Sequence, residues 1–164
     1  MNDIAEAAGV TKPVLYQHFE SKQQLYLELI NSVATQLQQS VVEATAAAAS
    51  PREQVERGFR AIFHWMAESP ARFVILFAGD TMREPEFSQA AYSTEQQLAE
   101  VIATLIRVEG MDDDHRQLLA YGIVGMAEVI CRQWVTGSVS FDPDVIAAQT
   151  ANLAWVGLRG VQQV

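Results

Sequence analysis

Ile4-Ala5-Glu6-Ala7-Ala8-Gly9-Val10-Thr11-Lys12-Pro13-Val14-Leu15-Tyr16-Gln17-His18-Phe19 reads as two short helices bent around a glycine. Small side chains at Ala5 and Ala8 let the helices approach closely, and Gly9 supplies a turn position where a side chain would clash. Val10, Val14 and Leu15 give the second helix an inward apolar face. Its outward face is then Thr11, Lys12, Pro13, Tyr16, Gln17 and His18. Such groups bond phosphates and base edges, and an α-helix of this kind fits the major groove of duplex DNA.

With its continuation Glu20-Ser21-Lys22-Gln23-Gln24-Leu25-Tyr26, the block resembles the TetR family of bacterial one-component transcription regulators. The resemblance rests on an Ile-Ala-x-x-Ala-Gly-Val turn, then Leu-Tyr-x-His-Phe, then Ser-Lys and an apolar helix, and covers about residues 2 to 30. It implies an all-α protein with a partial helix-turn-helix DNA-binding domain over residues 1–30. A helical ligand-binding and dimerisation domain is expected to follow over residues 31–164. Thr11, Lys12 and Pro13 would then open the recognition helix toward bases, while Tyr16, His18 and Lys22 hold phosphates and Gln17 does either. DNA-binding domains of the family have three helices, and the sequence starts at Met1 on the edge of the second. The first is therefore expected to be missing, either because the chain is a truncated or misassigned product of a longer repressor or because it is a variant without tight DNA binding. Ile4, Ala7, Val14 and Phe19 are expected to present the apolar surface that such a helix would cover.

The 164 residues are 49% hydrophobic and 19% charged, a globular rather than disordered composition. A net charge of -9 argues against general nucleic-acid affinity, which is driven by counterion release from phosphates neutralised by Lys and Arg. Residues 1–30 hold Lys12 and Lys22 against Asp3, Glu6, Glu20 and Glu28, so the DNA-facing end is itself acidic. An acidic domain with no nucleic-acid role is the bland alternative. A single cysteine, Cys131, excludes an internal disulfide and fits a reducing compartment; in an apolar helix it is expected to be a small core residue. Neither a signal peptide nor a membrane-flanked apolar span is expected, which makes the cytoplasm the default location.

Helix starts are marked by local chemistry. Ser21 with Gln24, and Ser50-Pro51-Arg52-Glu53, read as capping boxes, and Ser69-Pro70 and Asp142-Pro143 repeat the cap-plus-proline signature. Helices are predicted from about Lys22 to Ala48, Pro51 to Glu68, Pro70 to Met82, Pro85 to Val108, Asp113 to Thr136 and Pro143 to Val161. The run Phe73-Val74-Ile75-Leu76-Phe77 could be a buried strand, but its proline start and the lack of a partner strand favour a buried central helix.

The last two helices are apolar nearly all round and must be covered on two sides. Small residues in both allow close backbone approach, and bulky neighbours suit the centre of an interface. A symmetric dimer through a four-helix bundle is expected, with Gly122, Val129, Trp134, Ala151, Leu153, Trp155 and Leu158 at the interface. The alternative is that both helices only complete the core of one subunit.

Other clusters have bland readings beside sharp ones. Asp112-Asp113-Asp114-His115 invites a metal, but adjacent helical residues diverge and acids at a helix start offset its dipole. Glu128 and Arg132 lie one turn apart and are expected to pair, or else to orient a polar ligand group. His64 with Glu68 could do acid-base chemistry, yet no nucleophile or glycine-rich loop accompanies them. Phe59, Phe63, Met66, Phe73, Phe77, Met82, Tyr92 and Met126 are core-like stripes. The resemblance implies a ligand cavity among the middle helices, with Phe59, Phe63, Met66, Phe77, Tyr92 and Met126 as its candidate lining.

The expected function is a ligand-responsive DNA-binding regulator, a repressor released from its operator by a small apolar or aromatic molecule. Expected partners are double-stranded operator DNA, provided the first helix exists in the natural protein, a small-molecule effector and a second copy of the chain. No metal, cofactor, catalytic residue or membrane is expected. The rival from another class is a dimeric small-molecule-binding or protein-binding module that has lost DNA binding. An all-α enzyme built on His64 and Glu68 stands further off.

Overall fold

The computed structural model describes residues 1–78 and 85–160, and every regular element among them is helical. Helices α1 (Asn2–Ala7) and α2 (Lys12–His18) are joined by a turn in which Gly9 adopts φ 67°, in the left-handed region open to glycine. The Val10 amide donates to the Ala5 carbonyl at 3.0 Å and closes that turn. Of the three residues expected to face inward, only Leu15 is buried, beside Ala5; Val10 and Val14 are 39% and 37% exposed. The two helices are too short to cover all three. Ile4 and Phe19 are half-buried and Ala7 is exposed.

Helix α3 (Lys22–Ala46) starts at a reciprocal cap: the Gln24 amide donates to Ser21 Oγ at 3.0 Å, and the Glu20 amide donates to Gln24 Oε1 at 2.6 Å. Its stripe of Ile30, Val33, Leu37 and Val41 is buried at steps of three and four. Helix α4 (Pro51–Glu68) begins where the Glu53 amide donates to Ser50 Oγ at 3.2 Å, with the Ala49 amide donating to Glu53 Oε2 at 2.7 Å. Phe59, Ile62, Phe63, Trp65 and Met66 form its buried face. This helix packs against both α3 and the helix Pro143–Arg159, and more lightly against the helix Asp113–Val135.

The expected helix from Pro70 takes another form. Helix α5 is one turn, Ala71–Phe73, and Val74–Ala78 continue as a wider π-helical turn. No side-chain cap forms at Ser69-Pro70, and Val74 is exposed while Phe73, Leu76 and Phe77 are buried. The expected end at Met82 lies outside the described residues. Widening the turn alters which carbonyls are free, and the Tyr26 hydroxyl of α3 donates to the Ile75 carbonyl at 3.2 Å.

Helix α6 (Pro85–Leu105) stops three residues short of the expected Val108; the Ile106 amide donates to Ala103 in a tightened last turn. Helix α7 (Asp113–Val135) is capped by Asp112, whose Oδ1 accepts from the His115 amide at 2.8 Å. Helix α8 (Pro143–Arg159) is capped by Asp142, which accepts from the Asp144 amide at 2.9 Å; the expected end at Val161 lies outside the described residues. By length and composition alone α7 could cross a membrane, a test that a core helix also passes. It packs along α6 and also touches α4, α5 and α8. Cys131 is buried in it, and burial, reinforced by the Glu128 carboxylate, pushes its thiol up to about 12.

Gly58 sits within α4, where a Cβ would meet Thr45 Cγ2 at 3.5 Å, an ordinary contact. Gly58→Ala should therefore raise unfolding free energy by about 0.5–1 kcal/mol through helix propensity. Phe63→Ala, at a side chain with no exposure, should lower it by about 3–5 kcal/mol. Urea unfolding of both variants measures this, and a destabilised Gly58→Ala would contradict the α3–α4 packing.

Candidate functional site

Thr11, Lys12, Pro13, Tyr16, Gln17 and His18 are all exposed on α2, and Lys22 is exposed at the first residue of α3. Thr11 sits at the N-cap of α2 in an extended conformation, but its hydroxyl makes no capping bond, which leaves it open to an outside partner. The Lys12 ammonium lies 5.9 Å from the Tyr16 ring centroid, so the two groups share one patch. The Ser21 cap sets the direction of α3 directly after α2. One short helix therefore projects a cation, hydroxyls, an amide and an imidazole outward together.

A cavity of about 270 Å³ lies near the other end of α3. Its walls include Val41 and Thr45 of α3, Val55, Gly58, Phe59 and Ile62 of α4, and Ile102 and Leu105 of α6. Leu119 and Ile123 of α7 and Trp155 and Leu158 of α8 complete the apolar lining, with Arg107 and Arg159 as its charged members. Thr45 is buried but satisfied, its hydroxyl donating to the Val41 carbonyl at 2.8 Å.

Of the six residues expected to line a cavity, only Phe59 does. Phe63, Met66 and Phe77 are spent on the core, Met126 packs against it, and Tyr92 is 57% exposed. Large flexible and aromatic side chains fill space, so the void falls where aliphatic residues, Gly58 and the early end of α6 leave it unfilled. No sequence periodicity marks Ile106, Arg107 or Val108, which line the cavity just beyond the end of α6 at Leu105.

The residues expected at a subunit interface separate into three groups. Gly122, Val129 and Leu153 are exposed. Ala151 is buried in the chain's own core, and Trp134 packs edge-on to Phe63 with its Nε1 donating to the Phe141 carbonyl at 3.1 Å. Trp155 and Leu158 line the cavity. The outward stripes are instead Leu118, Gly122 and Val129 on α7, and Val145, Leu153 and Val156 on α8.

A model of bacterial regulatory proteins of the tetR family matches residues 1–29. The chain is 30% identical over 162 residues to the HTH-type transcriptional activator FasR of Mycolicibacterium smegmatis, covering 98% of this chain and 74% of that protein. The chain belongs to the tetR family of bacterial regulatory proteins. The HTH-type transcriptional regulator BetI of Agrobacterium fabrum is 44% identical over 55 residues, 34% of this chain and 27% of that protein. Among solved structures, a TetR-like transcriptional regulator from Rhodococcus sp. RHA1 superposes with a TM-score of 0.74 at 26% identity, over 96% of this chain and 83% of that one. The fatty acid degradation regulator FadR from Bacillus halodurans shares the fold with a TM-score of 0.79 at 16% identity, over 98% and 88% of the two chains. The TetR-family chain is thus a DNA-binding transcriptional regulator with an all-α fold.

The clusters singled out in this regulator's sequence have structural partners. Asp112 Oδ1 meets both the backbone amide and the ring of His115, which makes it a cap. His64 Nε2 lies 2.8 Å from Asp144 Oδ1, whereas Glu68 pairs with Arg72, so the two residues of the dyad that stood further off turn to different partners. Glu128 pairs with Arg132, whose guanidinium also lies over the Phe73 ring, away from the cavity lining.

Asp144 ties α8 to α4 through both His64 and Arg60, the latter at 3.1 Å. The hydrogen bond with His64 holds its carboxyl below the usual range against the opposing effect of desolvation, with the Arg60 charge adding a lesser pull in the same direction as the hydrogen bond. A depressed folded pKa means that the tie stabilises above the unfolded carboxylate pKa and is lost as pH falls through the folded value. Asp144→Asn should lower Tm near neutral pH and converge with wild type in acid. A gap that stays constant across that range would rule out the charged tie.

Proposed function

We propose that the chain is a homodimeric, cytoplasmic repressor that an effector in the α3–α4–α6–α7–α8 cavity releases from its operator. The observation that carries this is the path of α3. Its start holds Lys22 beside the exposed α2 surface, and its far end supplies Val41 and Thr45 to the cavity wall. A ligand that prefers one tilt of α3 changes the position of α2, and it shifts the equilibrium only by its differential affinity for the two states. Residues 1–30 act as the DNA-binding part and residues 31–164 as the ligand-binding and dimerisation part. The protein works by binding, without catalysis.

In the proposed dimer the outward stripes of α7 and α8 meet their copies around a two-fold axis, giving four helices at the interface. Two α2 helices must then match half-sites about 34–36 Å apart. Val129→Asp with Leu153→Asp should yield a monomer in sedimentation velocity and abolish operator binding. A dimer that survives both changes would move the interface elsewhere.

On DNA, Lys12→Ala should relax base preference and cost about 1–3 kcal/mol on the operator. Lys22→Ala should weaken operator and random duplexes alike and lower the salt slope by about 1. Fluorescence anisotropy across a salt series measures both, and equal loss on both duplexes for both variants would remove the division of roles. The relative FasR is named an activator, which favours a second reading in which the same site switches transcription on. A promoter reporter with and without the protein separates the two by the sign of the change.

A further inference from the structure

Ion pairing singles out two arginines. Among the described residues, Arg52, Arg57, Arg60, Arg72, Arg116 and Arg132 each pair with a carboxylate. Arg107 and Arg159 have no carboxylate partner among the described residues, and both line the apolar cavity. In a chain of net charge -9, carboxylates are in excess, yet these two exposed arginines stand without one at the edge of a space walled largely by hydrocarbon such as Val55, Ile62, Ile102 and Trp155. A guanidinium is always charged, weakly hydrated and shaped to bind a carboxylate through two parallel N–H donors.

Arg107 also borders an open groove outside the cavity, shared with Glu100, Glu109, Asp113 and Arg116. Arg116 is already paired with Asp113 there. The other two carboxylates there, Glu100 and Glu109, oppose a head group that carries several negative charges outward. One negative charge, held at the boundary between hydrocarbon and groove, fits the arrangement best.

We infer that the cavity takes an amphipathic monoanion, an apolar body ending in one carboxylate that Arg107 and Arg159 hold. This rests on the effector cavity proposed above and supplies the head-group chemistry of its ligand. The apolar body lies among Val55, Phe59, Ile62, Ile102, Leu105 and Trp155, and the carboxylate receives charge-assisted hydrogen bonds from the arginines.

The test is calorimetric titration of the purified chain with decanoate, 1-decanol, decylamine and decyl phosphate. Decanoate should bind at least about tenfold tighter than decanol, with decylamine weakest. Arg107→Gln and Arg159→Gln should each weaken decanoate about tenfold and leave decanol unchanged, which also shows that the variants retain the cavity. Decanol binding as tightly as decanoate, with both variants silent, overturns the anion assignment while leaving an apolar effector site. Tighter binding of decyl phosphate than of decanoate overturns the single charge. Failure of all four to bind overturns both the head group and the effector cavity.

Discussion

The structure depends on α3 being one unbroken helix. Its 25 residues run from the Ser21 cap to Ala46, and its buried stripe touches α4, α6 and the π-helical turn. From Lys22 to Val41 the rise is about 28 Å at 1.5 Å per residue. A hydrogen-bonded helix does not stretch over that distance, so in the proposed response a change at its cavity end would reach the α2 end as tilt. Tyr26 adds a lateral constraint near that end, bonded to the Ile75 carbonyl and edge-on to Phe87 at 4.8 Å between centroids. Any tilt of α3 must therefore carry α6 and the π turn along or break that contact.

Helix α4 organises the other half of the molecule. Its aromatic face fills the space between α3 and α8, and Phe63 reaches Trp134 of α7. Along the same helix, toward its start, Gly58 and Val55 leave room that no neighbour fills, and the cavity opens there. Core and cavity are thus successive parts of one helix packed against the same neighbours. The Arg60–Asp144–His64 cluster holds α4 to α8 beside that transition, on the exposed side.

Much of this was legible from local chemistry. Ser21, Ser50 and Asp142 mark real helix starts, because a capping side chain and the amide it accepts from are only two or three residues apart. The helix-turn-helix was legible for the same reason, through Gly9 and the small residues around it. Local signals failed at Ser69-Pro70, where the cap does not form and the next turns are short and then widened. They failed again at the cavity, since Phe63, Met66 and Phe77 carry the same apolar signal whether they wall a void or fill it. Val10 and Val14 likewise looked inward by period, and the short helices of the head leave them exposed.

By itself the sequence determined the helical elements, the outward chemistry of α2 and the family that this combination marks, because hydrogen bonding and capping act within a few residues. The tertiary structure alone decided the fate of each apolar face. On α8, Ala151 turns into the core, Trp155 and Leu158 line the cavity, and Leu153 and Val156 face outward. A helix that is apolar nearly all round carries no local mark separating those three sides. Which side meets which neighbour depends on how α4, α6 and α7 cross it, and those contacts join residues far apart in the chain.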